Sequence, residues 1–543
     1  MTAEPRTADD TATTGVGVPT TGTSAPTTGA GAPTAGAGAP TAGADTLMTG
    51  DEYLESLRDG RAVHVDGERV EDVTRHPAFR NAARSLARLY DALHDPATSG
   101  ALTGVDPGTG IRTHHFFKPS RSTADLVRAR EAIALWARTS YGFLGRTPEY
   151  KAAFMAGLGA GADYYGPFAA NATAWYRRFA AKALHLNHVI INPPVDRKRA
   201  VHDMGDVFVH AVRETDAGVV VSGAKMLGTG SALTNAGFVA PVGSAHLEKG
   251  AAERFALVFF VRMDNPGVRL ICRTPYERRA QSPFDHPLSS RFDENDSVLV
   301  MDEALIPWED VLVHRDIERA TGFYAVSGFP NLYNFQSSIR LGVKLELMAG
   351  LLSRAARANG TDVFRGVRAG LGELLTLRDL VGALTTAMTH DTEPGPGGTV
   401  VPRLEHASAM RMVSAHIWNR VHELFETLLG GAPLVVPASV RDLADPGLRP
   451  LIDRYYRGAD SSALERIKLF KLVWDTIGTE FGARHELYER HYSGNGEQIR
   501  LDALRWATRR GGLARCEELV QECLDDYDTD GWRRGPWLGP EQP

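Results

Sequence analysis

Gly145-Arg146-Thr147-Pro148-Glu149-Tyr150 sets a guanidinium and a phenol four residues apart around a proline. Proline pre-sets the backbone for a turn or a helix start, so both side chains can reach one pocket, where a permanent cation beside a hydroxyl suits an anion or a phenolate. Further on, His188 precedes Asn192-Pro193-Pro194-Val195-Asp196-Arg197, joining an imidazole and apolar spacing to a polar turn. Gly223-Ala224-Lys225-Met226-Leu227-Gly228-Thr229 follows a strand-like run and offers a hydroxyl among small residues, where a flat ring can approach the backbone. Taken singly, each has an ordinary structural reading: a surface ion pair, a satisfied core histidine, turn chemistry.

Other patterns carry less. Gly157-Leu158-Gly159 with Ala162 looks like a dinucleotide fingerprint but ends a helix instead of following a strand, and no Walker loop occurs. His485-Glu486 is followed by His491 six residues after the first histidine, on a different helix face, and reads as a solvated face rather than a zinc site. His185 and His188 could share a helix face, yet no third ligand stands near them before Asp196, so no metal is assigned.

The elements that must position these groups follow from periodicity. Residues 1–45 are Thr, Gly, Ala and Pro with a recurring Ala-Pro-Thr unit, and are expected to be a disordered tail. Thr49 and Glu52 form a capping signature for a helix around Tyr53 to Arg58, and Val63, Val65, Asp66-Gly67 and Val70 read as a hairpin. Helical spacing then dominates residues 46–195. Residues 196–325 alternate in the manner of strands, as at Val207 to Ala211, Gly218 to Val221, Ala256 to Val261, Val298 to Met301 and Val311 to Val313. Residues 326–500 return to long helical runs, near 332–358, 363–390, 403–429 and 462–490, with a Pro/Gly break at 394–398 and a capping box at Ser462 and Glu465. Residues 501–543 form an extension. Helices, a β-module and a helical bundle make an α+β protein rather than a doubly wound sheet or barrel.

The chain has 543 residues, 43% of them apolar and 23% charged, which is ordinary for a globular protein. Sixty basic residues stand against 66 acidic ones, net −6, so no positive field favours nucleic acid or an anionic membrane. No run approaches the ~20 apolar residues of a membrane span and no secretion signal opens the chain, which points to the cytoplasm. Three cysteines make neither a disulfide framework nor a zinc motif.

In order along the chain, Gly-Arg-Thr-Pro-Glu-Tyr (145–150), His188 with Asn-Pro-Pro-Val-Asp-Arg (192–197), Gly-Ala-Lys-Met-Leu-Gly-Thr (223–229) and Gly-Thr-Glu-Phe-Gly-Ala-Arg-His-Glu-Leu-Tyr-Glu-Arg (478–490) resemble the oxygenase component of two-component 4-hydroxyphenylacetate 3-monooxygenases and chlorophenol monooxygenases, from about Met48 to Ile499. The resemblance implies an acyl-CoA dehydrogenase-like fold, usually a homotetramer. It implies FADH2 delivered by a separate NAD(P)H-dependent flavin reductase, reaction with O2 to a flavin C4a-hydroperoxide, and hydroxylation of a phenol ortho to its hydroxyl. It assigns Arg146, Tyr150 and His188 to the substrate hydroxyl, and Pro194, Val195, Asp196, Arg197, Thr229, Ser493, Gly494 and Asn495 to the flavin, with Pro194 departing from the polar residue expected there. Pro241 to Glu253, a Gly/Ser/Ala-rich connection, reads as a lid or a plain loop. The phenol is left open: 4-hydroxyphenylacetate, a chlorophenol, or a tyrosine derivative free or tethered to a peptidyl carrier protein. The composition and tail favour a member of secondary metabolism such as antibiotic biosynthesis. An acyl-CoA dehydrogenase-type flavoprotein and a non-catalytic scaffold of the same fold are the rival readings.

Overall fold

A computed structural model describes residues 46–535 apart from Arg197, residues 243–245 and Ser493. The tail expected at 1–45 lies outside the described residues. Thr49 caps the first helix, Gly50–Ser56, through a reciprocal box with Glu52. The hairpin forms on the Asp66-Gly67 turn, where both residues take positive φ (51° and 82°) as a type I′ turn demands.

Two sheets follow. In the six-stranded sheet the order is Glu68–Val70, Val63–Val65, Val268–Cys272, Ser297–Pro307, Gly218–Lys225 and His210–Thr215, and only the pair Val63–Val65 with Val268–Cys272 is parallel. In the four-stranded sheet the order is Val311–His314, Leu257–Arg262, Ala236–Val239 and Leu186–Val189, the last pair parallel. Two segments outside 196–325 thus complete these sheets, the hairpin and Leu186–Val189. The strand expected from Val207 starts at His210, because Val207 and Phe208 are held in a turn by hydrogen bonds to the Met204 carbonyl.

The long helix Phe329–Ala358 is buried over most of its surface, apart from a stripe at Glu346, Gly350, Arg354 and Arg357, and packs against Arg365–His390, Leu404–Leu429, Thr123–Thr139 and Pro148–Ala160. A helix covered by four others is the centre of the bundle. One continuous core runs from the first helix through both sheets into the bundle. The expected run at 462–490 is two helices, Ala463–Ile477 behind the Ser462/Glu465 box and Glu480–His491 capped by Thr479. The break at 394–398 is a small hairpin, Thr392–Pro394 with Val400–Pro402. Beyond residue 495, helices Gly496–Arg509 and Gly512–Asp525 leave Leu504, Leu519, Val520 and Leu524 exposed.

Candidate functional site

Pro148 opens the helix Pro148–Ala160 at its first turn, with Thr147 as N-cap residue. The loop just before it is held from both sides. The Arg146 backbone N–H donates to Glu294 Oε1, and the Arg146 carbonyl accepts from His185 Nε2 at 2.9 Å. Burial lowers the His185 pKa to about 4, so the ring is neutral near pH 7; its Nε2 faces the Arg146 carbonyl and its Nδ1 the Leu233 carbonyl at 3.0 Å, which wedges the ring between the two loops. His185 immediately precedes the strand Leu186–Val189 and His188 lies within it, so they share no helix face, and His185 is a prop for the arginine loop.

Fixed this way, the Arg146 guanidinium sits 4.2 Å from the centre of the Tyr150 ring and 5.3 Å from that of Tyr488. Burial opposes its charge, but Tyr150, Tyr488 and Glu294 outweigh that and hold its pKa above the ordinary value. Its Nη1 is buried without a hydrogen-bond partner. A buried charged donor left open calls for an acceptor, and an anionic oxygen satisfies it best. His188 completes the cluster, its ring 6.0 Å from Tyr150. The structure therefore brings Arg146, Tyr150 and His188 together, as their spacing alone does not require.

One member was missed. Lys151, 2% exposed, lies with Nζ 3.7 Å from the centre of the Tyr150 ring and in contact with His188 Nδ1. A lone lysine after a tyrosine reads as a surface residue. The available signal is the rest of the helix: Ala152, Ala153, Phe154, Met155 and Leu158 leave it no solvated face, so its one lysine must be buried too.

Behind the cluster stands a charged wall. Arg340 binds Glu489 through two 2.7 Å contacts and Lys344 binds it at 2.9 Å, all with side chains at most 1% exposed. Burial pushes the Glu489 carboxyl up, but the two cations win and hold it down at about 2. His485, 1% exposed, packs edge-on against Phe143 and Phe481. The expected solvated face is corrected at His485, which with Glu489 fills the inside of the bundle beside cations of a helix remote in sequence, while His491 is exposed. Arg484 bridges to Asp296 at 2.9 Å, and Asp296 in turn accepts from Thr229 Oγ1 at 2.6 Å.

Part of the second group meets at the end of the strand Gly218–Lys225. The Met226 N–H donates to the Ile191 carbonyl at 2.9 Å, joining the 191–196 turn to the 226–229 segment. Lys225 Nζ donates to Asn192 Oδ1 at 2.7 Å, and burial lowers its pKa to about 7. Val195 and Leu227 are open apolar surface, 61% and 54% exposed. Pro194 is exposed and Asp196 half-buried. An apolar shelf flanked by Lys225, Thr229 and backbone groups fits a flat heteroaromatic ring system with polar edges, as a flavin has. Arg197 and Ser493 lie outside the described residues. Gly494 takes φ +110°, and exposed Asn495 caps the helix Gly496–Arg509, its side chain accepting from Glu497 N–H at 2.7 Å. Part of the Pro241–Glu253 connection also lies outside the described residues.

Residues 49–313 match the family model for the N-terminal part of 4-hydroxyphenylacetate 3-hydroxylases, and residues 320–521 the model for the C-terminal part. The chain is 64% identical over 493 residues to the pyoverdin chromophore biosynthetic protein PvcC of Pseudomonas aeruginosa, covering 91% of this chain and 98% of that one. It is 47% identical, over 89% of this chain and 92% of the other, to a Streptomyces globisporus monooxygenase acting on a 3-amino-3-(3-chloro-4-hydroxyphenyl)propanoyl group on the peptidyl-carrier protein SgcC2. Among solved structures, the oxygenase component of 4-hydroxyphenylacetate 3-monooxygenase, complexed with FAD and 4-hydroxyphenylacetate, superposes with a TM-score of 0.83 at 31% identity, covering 88% of this chain and 99% of that one.

Proposed function

The chain belongs to the 4-hydroxyphenylacetate 3-hydroxylase family, and from that membership we propose that Arg146, Tyr150 and His188 receive the hydroxyl of the phenol it oxidises. The protein is the oxygenase component of a two-component flavin-dependent monooxygenase that hydroxylates a phenolic substrate ortho to its hydroxyl. FAD, reduced by a separate flavin reductase, together with O2 supplies the inserted oxygen atom.

The chain's own residues prepare the ring. A phenol has a pKa near ~10, and its ring becomes a strong nucleophile only as the phenolate. Arg146 lowers that pKa by charge, Tyr150 donates to the same oxygen, and His188 takes the proton. The observation that carries this reading is the buried, unpartnered Nη1 of Arg146 beside Tyr150. Pro194, Val195, Asp196 and Thr229 would hold the flavin, with Lys225 and Leu227 added by the geometry; Arg197, Ser493, Gly494 and Asn495 belong to the same proposal. Asn495 already spends its side chain on a helix cap, so a flavin contact there falls to its backbone.

A tyrosine derivative in a biosynthetic pathway is the phenol we favour, supported by the likeness to PvcC and to the carrier-dependent monooxygenase. Exposed apolar residues on the last two helices support self-association, which we read as the homotetramer implied by the family resemblance. No helix among the described residues is long and apolar enough to cross a membrane, and we place the enzyme in the cytoplasm. The test is incubation with chemically reduced FAD, 18O2 and tyrosyl substrates, free and carrier-bound. A product heavier by one labelled oxygen is expected; unlabelled substrate with peroxide formed instead would overturn the reading, and equal rates on both substrates would sink the carrier-bound alternative.

A further inference from the structure

Lys151 has no carboxylate among its contacts. Its Nζ meets the Tyr150 ring at 3.7 Å, the Phe329 ring at 5.9 Å and the Nδ1 of His188. Arg146 stands over the same Tyr150 ring. Among the described residues these are the charged or titratable groups that face it: Arg146 and Tyr150 from its own segment, and His188 from the strand Leu186–Val189. A second buried cation beside Arg146 with nothing to neutralise it is costly, which favours the uncharged amine. Burial and then the Arg146 charge lower the Lys151 pKa well below its ordinary value, and burial followed by Lys151 and Arg146 does the same to His188. With Nδ1 turned to Lys151, Nε2 is the ring nitrogen left to a bound hydroxyl.

We propose that Lys151 stores the proton a bound phenol gives up, receiving it through His188. The inference rests on the proposed placement of the substrate hydroxyl at Arg146, Tyr150 and His188. The phenol O–H breaks and its proton goes to Nε2, while the Nδ1–H proton of the same ring goes to the lone pair of Lys151. The products are a phenolate, a neutral His188 in its other tautomer, and a Lys151 ammonium. Total charge in the pocket is unchanged, so no proton need cross to solvent from a site that must stay dry. The phenolate then lies among two cations instead of one.

The experiment uses 4-nitrophenol, whose phenolate absorbs apart from the neutral form, and the flavin-free full-length chain at a pH below that of the free phenol's ionisation. Binding and net proton release are read together by calorimetry in buffers of different ionisation enthalpy. In the unsubstituted chain, bound 4-nitrophenol is expected to show the phenolate band with no proton released. Lys151→Met should bind the neutral phenol, its phenolate band down at least about tenfold, as one pKa unit requires. Lys151→Arg, a fixed cation that cannot accept a proton, should keep the band but release close to one proton per phenol. Release of one proton by the unsubstituted chain, or an undiminished band without release in Lys151→Met, would overturn the proposal. Failure of the unsubstituted chain to bind 4-nitrophenol, or unchanged binding by Arg146→Ala, would instead overturn the underlying placement of the phenol.

Discussion

His185 Nε2 lies 2.9 Å from the backbone carbonyl of Arg146, so a neutral buried imidazole fixes where the guanidinium begins. Loss of that ring leaves this carbonyl and that of Leu233 without their imidazole partner, at a cost of about 1–3 kcal/mol. His185→Ala should weaken phenol binding roughly tenfold through a displaced Arg146 loop, while His185→Gln, whose amide can reach the same carbonyl, should recover most of it. Equilibrium binding of a phenol to the three proteins checks this.

The same histidine makes a pH signature. Its folded pKa is held down at about 4 by burial, against about 6.5 unfolded. Between those values the unfolded chain binds the extra proton, so stability is lost as pH falls from about 6.5 towards 4, by up to ~3 kcal/mol for this one group. Denaturant unfolding at pH 7 and pH 4.5 should show His185→Gln losing less stability on acidification than the unsubstituted protein.

Arg146→Ala removes a charge-assisted contact to the phenolate, a loss of roughly 3 kcal/mol or more. It should cut kcat/KM for phenol hydroxylation at least about a hundredfold and leave the melting temperature nearly unchanged. A variant retaining full activity would remove Arg146 from the site.

Glu489 is the only carboxylate bound to both Arg340 and Lys344 among the described contacts of those two cations. Glu489→Gln strands them in the bundle and should cost about 3–5 kcal/mol by denaturant unfolding. Replacing all three by apolar residues of similar volume should restore much of that stability.

Gly145 has no room for a side chain: an added Cβ would stand 2.3 Å from Tyr488 Oη and 2.5 Å from its Cζ. Tyr488 presents its ring to Arg146, Arg340 and Arg484, at 5.3, 5.3 and 5.5 Å. Gly145→Ala should therefore fold but push this ring aside and weaken phenol binding, measurable by the same titration.

What could be read from the chain was local. The boxes at Thr49/Glu52 and Ser462/Glu465 and the Asp66-Gly67 turn satisfy their own backbone within a few residues, so they stand as expected. Arg146, Tyr150 and His188 were named from motif, but only the parallel pairing of Leu186–Val189 with Ala236–Val239 brings the histidine to the helix start. Lys151 and Glu489 escaped because their burial is decided by partners far away in sequence: the Phe329–Ala358 helix supplies Phe329 to one and Arg340 and Lys344 to the other. A charge pattern on one helix cannot announce a partner on another.

The hairpin at residues 63–70 gains its place in the larger sheet only by pairing Val63 with Leu270 and His64 with Ile271. During synthesis, at about 5–20 residues per second, that edge has no partner for roughly 10–40 s, until a strand some two hundred residues later leaves the ribosome. The hairpin is thus made early and placed late. Its non-local closure raises contact order, and an isolated two-stranded hairpin is at best marginally stable in water, so this hairpin needs protection while translation proceeds.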